Sequence, residues 1–216
     1  MTDLAVQKYP NPTYGYIVGV LSLSIVIIGA FFEQGKTDVN IKYALVSALV
    51  LVALSGAIYF AVCVYRLHKI ASIVTAGKYP VSASKAAWFN FIPFYNIYWM
   101  FKWPGELAHF LNHAKKQESF SPNRCGWMFL FAGLMGQTLP GVSFIIDFLV
   151  LDFISRQMKQ SFEDVHLPIE DYTSQQYQSK TGYVVMIALT VVMLAGFVMM
   201  IVSPNFMQEL KAQAKI

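Results

Sequence analysis

Four apolar stretches, at about 14–32, 43–65, 126–151 and 183–203, separated by polar segments, constrain this chain more than any other feature. A helix needs roughly 18 or more apolar residues to cross a hydrocarbon layer about 30 Å thick, and each stretch is long enough. Lipid offers no water to bond backbone N–H and C=O groups, so each stretch is expected to be helical. The predicted fold is all-α: one membrane domain over 1–216, a polytopic helical bundle of about four transmembrane helices. Charged residues make up 13% of the chain, against roughly 25% in soluble domains, too few for an ordinary aqueous surface. The 16 Lys and Arg sit in short loops rather than in one stripe, which argues for a topological role and against nucleic acid.

Loop charge gives the orientation. Residues 66–85 carry Arg66, Lys69, Lys78 and Lys85 with no acid, whereas 33–42 balances Glu33 and Asp38 against Lys36 and Lys42. The positive-inside rule places 66–85 in the cytoplasm and the N-terminus with it. The first stretch lacks a cleavage site and reads as a retained anchor. Segment 102–124, with Lys102, Lys115, Lys116 and Arg124 against Glu106 and Glu118, also reads as cytoplasmic. The apolar piece between these two loops, 86–101, should then enter and leave on one side, as a re-entrant or interfacial aromatic segment.

Asn90, Pro93 and Asn96 support that turn, because Pro93 removes a backbone donor and disfavours a helical conformation at Ile92. The rings of Trp88, Phe89, Phe91, Phe94, Tyr95, Tyr98, Trp99, Phe101 and Trp103 fit either an aromatic belt at headgroup depth or a pocket. Next, 104–116 is expected to be an amphipathic cytoplasmic helix starting at Pro104, with Leu107, Phe110 and Leu111 dipping into lipid.

The stretch 126–151 is read as one span kinked near Pro140, which places 156–182 outside and returns the C-terminus to the cytoplasm. In a competing arrangement 86–101 spans fully and 126–155 folds as a hairpin about Pro140 and Gly141. The tail after Ser203 is expected to form a short amphipathic helix.

Glu106, His109 and His113 share one helical face at i, i+3 and i+7, a spacing found in metal sites, with a solvated polar face as the alternative. Lys102, Lys115, Lys116 and Arg124 are candidates for anionic lipid headgroups. Asp152 has a partner one turn on in Arg156. Asp147 has none nearby, so it either lines an ion or proton path with Gln137 or is solvated at the outer headgroups. Gly15 and Gly19, and Ala53, Ala57 and Ala61, form small-residue faces suited to close packing between the first two spans or to a dimer contact. Cys63 and Cys125 are expected to be reduced, Cys125 being a possible palmitoyl acceptor. No cofactor is expected.

The segment 91–112, with Ile92, Pro93, Phe94, Asn96, Tyr98 and Trp99, resembles a pattern in an uncharacterised bacterial multi-pass family, a domain of unknown function. That resemblance implies a bacterial inner-membrane setting and no particular activity. Three functions then compete. The chain is a non-catalytic subunit or assembly factor of a larger membrane complex, with other integral membrane proteins as partners. Alternatively it is a small transporter or channel component using 86–101 and Asp147, or a metal-dependent membrane enzyme using Glu106, His109 and His113. A cavity reaching Asp147 is the feature that favours transport.

Overall fold

The computed structural model describes residues 9–33, 39–115, 121–163 and 177–202, which are all-α with no strand among them. The helices are α1 (Thr13–Glu33), α2 (Val39–Val74), α3 (Ala83–Trp88), α4 (Tyr95–Lys115), α5 (Pro122–Gly136), α6 (Pro140–Glu163) and α7 (Lys180–Val202), with a 3₁₀ turn at Phe89–Phe91. The side chain of Lys115, all of Lys116 and the expected tail helix lie outside the described residues.

α1 and α2 are long and apolar enough to cross a membrane. Only 22% and 6% of their most apolar windows are buried, so these faces point outward rather than into a core. α2 changes character along its 36 residues, about 54 Å, well beyond one hydrocarbon thickness. Up to Val62 and Tyr65 it exposes apolar side chains; from Arg66 onward it exposes Arg66 and Lys69. Past that boundary Leu67, Ile70, Ala71 and Val74 belong to one buried cluster with Trp103, Leu107, Phe110 and Leu111 of α4 and Met158 and Phe162 of α6. Each fully buried side chain of this kind contributes about 1.5–3 kcal/mol. We call this the basic end, because Arg66, Lys69, Lys85, Arg124, Arg156 and Lys180 are all exposed around it.

Two hairpins enter the bundle from the basic end. In the first, α3 is started by Ser82, whose side chain accepts a bond from the Lys85 N–H at 3.3 Å. The chain then reverses at Ile92–Phe94. Ile92 is extended (φ −81, ψ 114), as the following proline requires, and Phe94 takes a left-handed φ of 61. Tyr95 N–H to the Pro93 carbonyl (2.7 Å) and Asn96 N–H to the Ile92 carbonyl (2.9 Å) close the turn, and α4 runs back out. Segment 86–101 thus begins and ends toward the same end of the bundle.

The second hairpin corrects the expected single span at 126–151. α5 stops at Gly136, Leu139 N–H bonds the Met135 carbonyl at 2.8 Å, and α6 starts at Pro140. α6 returns antiparallel along α5, bringing Phe153 to 5.7 Å from the Arg124 guanidinium. With 15 residues, about 22 Å, α5 is too short to cross alone. The expected placing of 156–182 opposite 102–124 changes with it. The Tyr177 hydroxyl donates to Asn123 Oδ1 at 3.0 Å, so the lead-in to α7 sits beside the start of α5. α7 then runs antiparallel to α4, with Tyr183 against Tyr98 at 5.0 Å, toward the far end.

The amphipathic segment 104–116 is also corrected. It is the second half of α4, which passes through Pro104, and residues 101–108 are buried on every side. Leu107, Phe110 and Leu111 therefore face the protein core rather than lipid. The small-residue faces are divided differently as well. Gly15 and Gly19 lie against Phe148 and Ile145 of α6, not against α2, whose own close contact is Gly56 beneath Val18 and Phe144. Ala53 is half-buried, while Ala57 and Ala61 border cavities.

Candidate functional site

The apex of the first hairpin closes a cavity of about 200 Å³. Asn90, Phe91, Asn96 and Met100 form its wall on that hairpin. Phe129, Gly133, Phe144 and Asp147 come from α5 and α6, and Ala57 and Phe60 from α2. Asp147 brings the only formal charge among these lining residues, and Phe60, Phe91, Phe129 and Phe144 line the same cavity.

The two asparagines do different work. Asn90 Nδ2 donates to the Ala86 (2.6 Å) and Ala87 (3.2 Å) carbonyls, and Trp99 Nε1 also reaches Ala86 (3.0 Å). These bonds satisfy carbonyls that the short α3 leaves without helical donors. Asn96 makes no side-chain hydrogen bond among the described residues, and its amide is on the cavity wall. Nor does the Asp147 carboxylate meet a hydrogen-bond donor or cation among them. A desolvated carboxylate without a partner is costly, so this site favours an added proton or cation. Pro104 cannot donate to the Met100 carbonyl, which leaves a further backbone acceptor on a residue of the same wall.

The other candidate residues are distributed differently from their sequence pattern. Gln137 is exposed at the α5–α6 turn, outside the cavity, so it does not join Asp147. Asp152 pairs with Arg156 as expected. Lys102 is no surface lysine: at 3% exposure it holds Glu106 Oε1 at 2.6 Å, and only an edge of it shows in a cleft toward α7. Arg124 remains exposed. Burial pushes the Glu106 carboxyl above the usual range, against the pull of Lys102.

The proposed metal triad does not assemble. Glu106 is taken by Lys102, His113 is exposed, and among the described residues no three His, Cys, Asp or Glu side chains converge. One helical face is not enough, because positions i and i+7 stand about 10 Å apart along the axis. His68 is enclosed instead between Tyr79 and Trp103, at 5.4 and 5.6 Å, with neither ring nitrogen hydrogen-bonded among the described residues. Cys63 and Cys125 are both free and buried, which seals Cys125 from lipidation.

The aromatic segment divides between the two readings offered for it. Trp88, Phe91 and Phe94 are exposed like a belt, whereas Trp99, Phe101 and Trp103 are buried. Sequence reasoning missed the phenylalanines from α2, α5 and α6, because only the tertiary fold brings them to Asp147. Comparison with protein-family models, curated proteins and solved structures returns no match.

Proposed function

We propose that this chain is a small integral membrane protein that carries or conducts a monovalent cation or proton through a site at Asp147. The outward apolar faces of α1 and α2 meet lipid, and the basic end faces the cytoplasm. Both hairpins dip into the membrane from that side. Asp147 supplies the charge, and the side-chain oxygens of Asn96 and Asn90 supply neutral ligands. One observation carries this reading: a carboxylate without a partner among the described residues lines a cavity at the tip of a broken helix, the arrangement discontinuous helices give transport sites.

Purified protein in liposomes provides the test, with proton, sodium and potassium flux measured under an imposed gradient. Wild type conducts at least one of these ions, Asp147→Asn abolishes that flux, and Asp152→Asn preserves it. Equal flux in wild type and Asp147→Asn would contradict the proposal. A subunit role is the second reading, favoured by α7, where Val191, Val192, Met193 and Leu194 are all exposed. A stoichiometric partner retained in gentle detergent, together with inactive liposomes, would support it.

A further inference from the structure

A second cavity, about 540 Å³, lies between α4 and the start of α7. Its lining along α7 runs from Ser179 and Lys180 through Tyr183, which packs on Tyr98, to Val184 and Ile187, with Lys102 on the α4 side. We infer that this cleft binds one anionic phospholipid, phosphate at Lys180 and acyl chain along α7. The inference rests on the membrane placement proposed above and is independent of the Asp147 cavity.

Three features point to an amphiphile. The lining passes from cations and hydroxyls to bare hydrocarbon within two turns of one helix, matching a molecule with a single polar head. Lys180 is exposed at the start of α7, three residues after Tyr177, whose hydroxyl bonds Asn123 at the start of α5. Lys102 is almost wholly buried and its ammonium is held by Glu106, so it lines the cleft as half of a neutral pair and Lys180 carries the exposed charge. The first turn of the 23-residue α7 adds its positive dipole end, with Ser179 Oγ accepting from the Gly182 N–H at 3.0 Å. A free phosphate would fill only the polar end, and a partner helix would leave Lys180 without counter-charge.

Native mass spectrometry of the detergent-solubilised chain, titrated separately with phosphatidylglycerol, phosphatidylcholine and glycerol phosphate, tests this. Phosphatidylglycerol is retained at one per chain, and phosphatidylcholine binds about five-fold more weakly or worse. Glycerol phosphate does not compete. Lys180→Gln weakens phosphatidylglycerol about five-fold, as loss of about 1 kcal/mol requires, whereas Lys85→Gln, outside the cleft, does not. Val184→Trp fills the apolar end at an exposed position and removes retention without unfolding the chain. Equal retention of the two lipids, equal effects of the two lysine variants, retention in Val184→Trp, or competition by glycerol phosphate would overturn the inference. Ion flux through the Asp147 site is measured separately and stands or falls without it.

Discussion

A Cβ placed on Gly19 would stand 2.9 Å from the Gly141 carbonyl oxygen, so α1 and α6 cross backbone against backbone. The contact is mutual, because a Cβ on Gly141 would stand 2.5 Å from the Leu23 nitrogen. Neither obstacle is a side chain that can rotate away. Gly141→Ala must therefore separate the helices, at about 1–3 kcal/mol. Thermal unfolding in detergent should show a clear loss for Gly141→Ala and almost none for Gly133→Ala, where nothing lies within 4 Å.

The Lys102–Glu106 pair predicts a pH dependence. Burial raises the Glu106 carboxyl, so the folded chain holds that proton to a higher pH than the unfolded chain does. The group's contribution to stability is then greatest at or below the ordinary carboxylate range and declines as pH rises toward the elevated value. Glu106→Gln should flatten this slope. Denaturation midpoints between acid and neutral pH would show the flattening.

The two asparagines of the first hairpin separate structure from function. Asn90→Ala strips donors from the Ala86 and Ala87 carbonyls and should cost about 1–3 kcal/mol. Asn96→Ala removes no hydrogen bond among the described residues and should leave the melting temperature nearly unchanged while reducing ion flux. Parallel melting and flux measurements on the two variants would reveal this reversal.

Much of the architecture is written locally. The apolar runs give α1 to within a residue at each end but only the middle of α2, which extends from Val39 to Val74 beyond the run at 43–65, and Pro93 with its preceding Ile92 gives the reversal of the first hairpin. The turn at Pro140 is harder to read, since Pro140 and Gly141 signal a kink as readily as a reversal. The structure shows them reversing the chain, with Gly141 fitting against the distant Gly19 and Leu23. Lys102 illustrates a different miss: its i+4 relation to Glu106 is visible in the sequence, but the pattern joining Glu106 to His109 competes with it. The surroundings of Asp147 have no local signature, because its neighbours arrive from α2, both arms of the first hairpin and α5.

Impermeant thiol labelling in vesicles of known orientation tests the central claim most directly, that both hairpins enter from one membrane face to meet at Asp147. Single cysteines at Ser82, Ser121 and Gln178, in a chain with Cys63 and Cys125 replaced, would report the entry to the first hairpin, the entry to the second and the start of α7. The account predicts that all three react from the cytoplasmic side and none from the other. Labelling of Gln178→Cys from the side opposite Ser82→Cys would contradict it.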